Sequence, residues 1–187
     1  MTCIVGWNEN GNIWIGGDSA GVAGYSMSIR ADEKVFVKDE FAFGFTSSFR
    51  MGQLIRYNFS IPKREEKQST EDYLHNKFLG ALIACFKDNN YAAINNNQIT
   101  GGCFIMGYRG DLYYVDNDFQ IGKQVDNFFA VGCGSDIALG CLFALKNEHR
   151  MTPEERIIVA LEASERYSAG VRRPFHVVKI LQNKKEE

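Results

Sequence analysis

The chain has 187 residues, a formal net charge of -2 and a hydrophobic fraction of 45%. Length and apolar content together indicate a single domain, residues 1–187, with a sizeable core. Because the charges nearly cancel, the chain lacks the electrostatic footprint of a protein that binds nucleic acid or an anionic membrane, and we expect neither as a partner.

The chain is predicted to begin with strands alone. The ending Asn10-Gly11 favours a hairpin turn over residues 8–11, and Lys38 to Glu40 is predicted to turn a second hairpin. A glycine-bearing loop from Ser19 to Ser28 is expected between the two hairpins. The four predicted strands are Thr2 to Trp7, Asn12 to Gly17, Lys34 to Val37 and Phe41 to Phe45.

Two helices are predicted next. From Ser48 to Phe59 the apolar residues follow a helical spacing, and Pro62 ends that segment. A longer helix is predicted from Thr70 to about Phe86, with Thr70 as its N-cap.

The second half is predicted to repeat this order of strands followed by helices. Asn95 to Asn97 indicates a turn or exposed loop, and Pro153 is typical of the first turn of a helix. The predicted strands are Gly102 to Tyr108, Leu112 to Val115, Phe128 to Val131 and Phe175 to Leu181. The predicted helices are Ser135 to Leu145 and Pro153 to about Tyr167.

This order of elements predicts an α+β fold. Two antiparallel sheets with helices on both outer faces, an αββα sandwich, would bury every apolar stripe. Composition and element order leave this as one of several α+β layouts.

The apolar runs and the cysteines bear on location and cofactors. The longest apolar runs fall well short of the roughly 20 residues of a spanning helix, and no basic region followed by an apolar stretch opens the chain. We therefore expect a cytoplasmic protein without a membrane anchor. The five cysteines form no CxxC pair, and His75, His149 and His176 lack ligand spacing, so we expect neither a metal nor another cofactor.

Three N-terminal motifs carry a resemblance to a known family. Thr2 to Gly6, Ile15 to Asp18 and Lys34-Val35 are similar, without gaps, to the start of proteasome β-subunits and their bacterial two-component protease relatives, which are N-terminal nucleophile (Ntn) hydrolases. The resemblance continues through nearly the whole chain, at Gly44 to Ser48, Val131 to Ser135 and Tyr167 to Gly170. It implies the αββα sandwich and a threonine-type peptidase.

The resemblance implies that Thr2 is the nucleophile once Met1 has been removed. A threonine hydroxyl is weakly nucleophilic and needs an adjacent base, and a free α-amine with a pKa of about 8 can serve. By resemblance, Lys34 would place a positive charge beside the hydroxyl and Asp18 would pair with that ammonium. The backbone N–H of Ser47 would face the oxyanion of the tetrahedral intermediate.

Three of the implied site residues depart from the family pattern. Ser47 stands where glycine is usual, and Cys133 in Gly132-Cys133-Gly134 replaces a serine. Glu165, three residues before Ser168, replaces an aspartate. A thiol is a weaker hydrogen-bond partner than a hydroxyl, so these changes concern the tuning of the amine.

Several alternatives stay open at this point. The same fold hosts small-amide hydrolases, and a proteasome-like subunit can be structural and without activity. Cys3 would serve as nucleophile only after removal of two residues. Cys133, at a predicted helix N-terminus, could be a reactive thiol.

The expected partners are a peptide or amide substrate and further copies of the chain. The resemblance implies a homo-oligomeric ring of six or seven subunits that encloses the active sites. The helices Ser48 to Phe59 and Thr70 to Phe86 carry more apolar residues than one sheet-facing stripe needs, which also favours a partner. An ATPase partner cannot be identified from the sequence.

Overall fold

The structure, a computed structural model, describes residues 1–95 and 98–182. Its strands are β1 Cys3–Glu9, β2 Asn12–Gly17, β3 Ala20–Ala23, β4 Ser26–Ile29, β5 Val35–Lys38, β6 Phe41–Phe45, β7 Ala93–Asn95, β8 Gln98–Thr100, β9 Phe104–Tyr108, β10 Asp111–Val115, β11 Ile121–Lys123, β12 Phe128–Gly132 and β13 His176–Ile180. Its α-helices are α1 Phe49–Gln53, α2 Thr70–Asp72, α3 Leu79–Asp88, α4 Ser135–Leu145 and α5 Pro153–Tyr167, with π-helices over Leu54–Asn58 and Tyr73–Phe78.

Two antiparallel sheets form the centre of the molecule. The four-stranded sheet has the order β12-β1-β2-β13 and the five-stranded sheet the order β11-β10-β9-β6-β5. The strands β3 and β4 form a separate two-stranded ribbon, as do β7 and β8. The first strand therefore lies inside its sheet, between β12 and β2.

Three apolar clusters separate four layers and confirm the αββα sandwich. Ile4, Ile15 and Ile105 belong to the cluster between the two sheets. Helices α4 and α5 pack on the outer face of the four-stranded sheet, and the segments from α1 to α3 pack on the outer face of the five-stranded sheet. Within the described ranges, no helix combines the length and apolar character required to cross a bilayer.

The two predicted hairpins of the large sheets are confirmed, and a third hairpin joins β9 to β10. Asn10 and Gly11 turn the first with φ of 54° and 78°, and Arg109 and Gly110 turn the third with φ of 48° and 86°. Positive φ at both central residues is the backbone that matches the twist of paired strands. The predicted bounds of α4 and α5 are confirmed as well, and Thr152 caps α5 in a capping box with Glu155.

Three expectations about local structure were wrong or incomplete. The predicted loop from Ser19 to Ser28 contains the β3–β4 hairpin, whose second strand is exposed throughout and so lacks an alternating apolar pattern. Ser69, not Thr70, is the N-cap of the long helix, because its side chain accepts a hydrogen bond from the Asp72 N–H at 3.1 Å. The ribbon β7–β8 and strand β11 were not predicted, and Asn96 and Asn97 of the expected turn lie outside the described residues.

Lys38 holds the C-terminal end of the first helical segment. The π-helical turn ends where the Phe59 N–H donates to the Leu54 carbonyl at 2.8 Å. The Lys38 ammonium donates to three carbonyls there, those of Ile55 and Arg56 at 3.0 Å and of Phe59 at 2.5 Å. Burial lowers the pKa of Lys38 against the opposing effect of Asp39. The cation thus satisfies carbonyls that the helix end leaves without partners.

Lys38→Met should lower the free energy of unfolding by about 1–3 kcal/mol, because three carbonyls lose a charged donor while the aliphatic stem is kept. Chemical denaturation monitored by circular dichroism measures the change. Lys63→Met, at an exposed position, is the matched control and should leave stability nearly unchanged. Equal effects of the two substitutions would contradict this role of Lys38.

Candidate active site

Thr2, Asp18 and Lys34 meet because three strand ends converge. Thr2 precedes β1, Asp18 follows β2 in the same sheet, and Lys34 precedes β5 in the other sheet. All three are buried, with exposed fractions of 4%, 1% and 2%. Buried polar side chains require partners, and these three provide them for one another.

A continuous hydrogen-bonded path joins the three side chains. The Lys34 ammonium donates to the hydroxyl oxygen of Thr2 and, at 2.8 Å, to Oδ1 of Asp18. The Asp18 carboxylate is in turn fixed by backbone N–H groups, those of Cys3 at 3.0 Å, Ala20 at 2.9 Å and Arg172 at 3.2 Å. Backbone donors from three segments therefore set the position of the carboxylate, and the carboxylate sets that of the ammonium.

Burial lowers the pKa of Lys34, while the charge of Asp18 and its hydrogen bond act in the opposite direction. The group that touches the Thr2 hydroxyl is thus a lysine that gives up its proton more readily than a solvated one. A positive charge at this place favours the deprotonated form of the hydroxyl.

Cys133 lies at the backbone of Thr2, and Ser168 contacts Cys133. The Thr2 N–H donates to Sγ of Cys133 at 3.2 Å, and this sulfur is 3.4 Å from Oγ of Ser168. Cys133 also donates to the Thr2 carbonyl at 3.4 Å. Gly132 permits this approach, because its φ is 102° and a Cβ there would lie 2.3 Å from the Thr2 carbonyl oxygen.

Met1 covers this arrangement in the unprocessed chain. Its peptide bond makes the Thr2 nitrogen an amide, which cannot accept a proton as an amine does. The Met1 side chain is half exposed and lies against Gly170, where an added Cβ would meet Met1 Cβ at 2.2 Å and Cys133 Sγ at 2.7 Å. Removal of Met1 would leave a free amine at the position of the present amide.

Ser47 adopts the backbone conformation that glycine would. Its φ is 63°, in the left-handed region that side chains rarely enter. Its hydroxyl compensates by accepting the Cys103 N–H at 3.0 Å, and Gly102 leaves space, because a Cβ there would come within 3.0 Å of Ser47 Cβ. The described residues offer the Ser47 N–H no hydrogen-bond acceptor. It is therefore available to a ligand.

Glu165 lies apart from the residues around Thr2. Its carboxylate accepts the backbone N–H of Arg173 at 2.9 Å and the Arg173 Nε–H at 2.8 Å. Burial alone would raise the pKa of Glu165, but these hydrogen bonds and the charges of Arg173 and Arg172 together hold it below its usual value. The Glu165 carboxylate thus has hydrogen bonds with the segment after Ser168 and, among the described residues, none with Ser168 itself.

A cavity of about 260 Å³ opens beside Thr2. Ser47 and Lys34 line it, together with Arg30 and Phe49, which sequence reasoning did not select. Arg30 ends the β3–β4 hairpin, a segment without a periodic pattern, so no sequence signal pointed to it. The cavity places an open space next to Thr2.

The alternative nucleophile Cys3 has little support in this geometry. Cys3 is fully buried, and burial raises the pKa of its thiol to about 12, which keeps it protonated and unreactive. Among residues 1–95 and 98–182, no group of three or more His, Cys, Asp or Glu side chains could hold a metal ion.

Solved structures with the same fold are numerous, although no family model and no curated protein matches the sequence. Thiobacillus denitrificans BPH in complex with epoxomicin is similar at a TM-score of 0.80 and 16% identity, over 97% of this chain and 99% of that one. HslV from Trypanosoma brucei is similar at 0.68 and 14%, over 95% and 98%. The Gly-1 mutant of Anbu from Hyphomicrobium sp. strain MC1 is similar at 0.67 and 12%, over 95% and 80%. The chain therefore has the proteasome-β-like fold of the Ntn hydrolases.

Proposed function

We propose that this chain is a threonine-type peptidase whose nucleophile is Thr2, exposed by removal of Met1. The observation that carries the proposal is the buried contact of the Lys34 ammonium with both the Thr2 hydroxyl and the Asp18 carboxylate. A lysine buried for packing alone would not need an ammonium in contact with the Thr2 hydroxyl. Residues 1–187 would act as one domain in the cytoplasm, without a cofactor.

The first step would be attack on an amide carbonyl. The free α-amine of Thr2 would take the proton of the Thr2 hydroxyl as the oxygen bonds to the carbonyl carbon. Because the Thr2 nitrogen lies 3.2 Å from Cys133 Sγ, the thiol would orient the amine, with Ser168 behind it. The Lys34 charge would lower the cost of negative charge on the attacking oxygen.

The second step would be collapse of the tetrahedral intermediate. The Ser47 N–H would donate to its oxyanion, a contribution of about 3 kcal/mol where one such donor has been removed from other hydrolases. The protonated amine would give its proton to the leaving nitrogen as the C–N bond breaks. Water would then cleave the ester on Thr2 with the same amine as base, which regenerates the hydroxyl.

Two other functions remain to be separated by experiment. A small-amide hydrolase would use the same nucleophile and differ only in substrate, so a peptide panel tested beside small amides distinguishes the two. A structural subunit would keep Met1 and have no use for a buried cation on Thr2. The Lys34 contact therefore favours an enzyme.

We also propose that the chain assembles as a homo-oligomeric ring. The structural support differs from the argument drawn from the sequence, which was a surplus of apolar residues on the first two predicted helices. The apolar residues of the helical segments between Phe49 and Asp88 are mostly buried in the chain's own core, so they are not surplus. The exposed apolar side chains of the β3–β4 hairpin, Tyr25, Met27 and Ile29, are better candidates for a subunit contact. An ATPase partner stays unidentified.

Processed protein should hydrolyse peptide amides and be inhibited by β-lactones and by epoxomicin, the compound in complex with the Thiobacillus protein. Thr2→Ala should abolish activity, because it removes the attacking oxygen, whereas Thr2→Ser should retain part of it. Intact mass must first show the loss of one methionine. Thr70→Ala is the control for a threonine substitution. An active Thr2→Ala variant, or a processed wild type inert to amides, would contradict the assignment.

Lys34→Ala should lower kcat at least about 100-fold, and Asp18→Asn should act in the same direction. The reaction needs a neutral amine and a charged Lys34, so activity should rise with pH toward about 8 and fall at alkaline pH. Because burial lowers the pKa of Lys34, the alkaline fall should come below the usual lysine value of 10.5. A pH series of kcat on wild type and the Lys63→Ala control measures both limbs. Undiminished rates in both active-site variants would show that the pair is structural.

A further inference from the structure

The charged side chains that line the cavity beside Thr2 are all positive. Its polar side chains are the hydroxyls of Thr2, Ser28, Thr46, Ser47 and Ser48 and the cations Arg30 and Lys34. No carboxylate is among the described residues that line it. Because Lys34 is engaged by Thr2 and Asp18, Arg30 is the cation that remains for a substrate side chain.

Arg30 is held in place on the cavity wall. Its Nε and Nη2 each donate to Asp32 at 2.6 Å, and its guanidinium carbon lies 4.1 Å from the centre of the Phe49 ring. Gly21 leaves the space, since a Cβ there would meet Arg30 Cδ at 3.0 Å. A guanidinium fixed at one edge and stacked on a ring loses little rotamer freedom when a ligand binds.

In the ion pair of Arg30 and Asp32, the guanidinium lines the cavity and the carboxylate does not. Asp32 does not line this cavity but a separate one of about 70 Å³, which it shares with Glu33 and Arg56. A guanidinium has five N–H donors, and among the described residues Nη1 of Arg30 has no acceptor. A ligand in the cavity therefore meets free donors and the positive end of the Arg30–Asp32 dipole.

We propose that this cavity binds an acidic side chain of the substrate, next to the cleaved bond, through Nη1 of Arg30. The proposal adds a substrate preference to the peptidase function, and it rests on that proposed function, since only a peptidase would bind the peptide as a substrate. The hydroxyls of Ser28 and Ser48 would complete the site, and Phe49 would contact the methylene groups. A lysine or arginine side chain would be rejected, because it would meet two cations and no carboxylate.

Hydrolysis of fluorogenic peptide amides that differ only in the residue before the cleaved bond tests the preference. Wild type should cleave the Glu substrate about tenfold better in kcat/KM than its isostere Gln, and the Lys substrate least. Arg30→Gln should remove the difference between Glu and Gln, and Arg30→Glu should make Lys the better substrate. Arg50→Gln, which removes the same charge outside the cavity, should behave as wild type.

A binding measurement separates this inference from the proposed reaction. Titration calorimetry on the Thr2→Ala variant with acetylated tripeptides ending in Glu, Gln or Lys should show the same order, and adding Arg30→Gln should abolish it. If no peptide is hydrolysed but this order appears, the peptidase function fails and the acidic site stands. Hydrolysis and binding without preference, or a preference that survives in both Arg30 variants, would overturn the acidic site.

Discussion

The buried ion pair of Lys34 and Asp18 is the contact on which the rest of the site depends. Desolvating two charges is costly, and loss of one partner from such a pair typically destabilises a protein by about 3–5 kcal/mol. Here the carboxylate also accepts the N–H groups of Cys3, Ala20 and Arg172, from the start of β1, the start of β3 and the segment before β13. The pair therefore joins both sheets at the place where the Thr2 hydroxyl lies, and stability and chemistry share one set of atoms.

The departures from the pattern of the family that the sequence resembles have physical consequences of different size. Ser47 keeps the left-handed backbone of a glycine, because the Cys103 N–H and the space at Gly102 support it. Cys133 offers sulfur where an oxygen is usual, so the orientation of the Thr2 nitrogen rests on a longer and softer contact. Glu165, one methylene longer than aspartate, reaches Arg173 and stabilises the chain after Ser168 from outside the site.

The sequence predicted elements whose signals are local. Helix α5 has its cap and its first-turn proline in adjacent positions, and the Asn10-Gly11 turn is specified by two residues. The π-helix over Leu54–Asn58 was not predictable in this way, because the Lys38 side chain that holds its end comes from strand β5. For the site, the family resemblance selected Thr2 and its partners, whereas Arg30 lies in an exposed hairpin and emerges only when Phe49 and Asp32 are seen around it.

The place of β1 inside its sheet also bears on the dynamics of the site. Strand β1 is hydrogen-bonded to β12 on one side and to β2 on the other, and it is almost entirely buried. Backbone amides in such strands exchange with solvent only when the whole domain opens, whereas exposed two-stranded ribbons exchange through local fluctuations. Thr2 directly precedes this buried strand, whereas Arg30 directly follows the exposed strand β4, so we expect slower backbone exchange next to Thr2 than next to Arg30. The atoms around Thr2 are thus tied to a buried central strand, while Arg30 is held by the side chains of Asp32 and Phe49 rather than by a sheet.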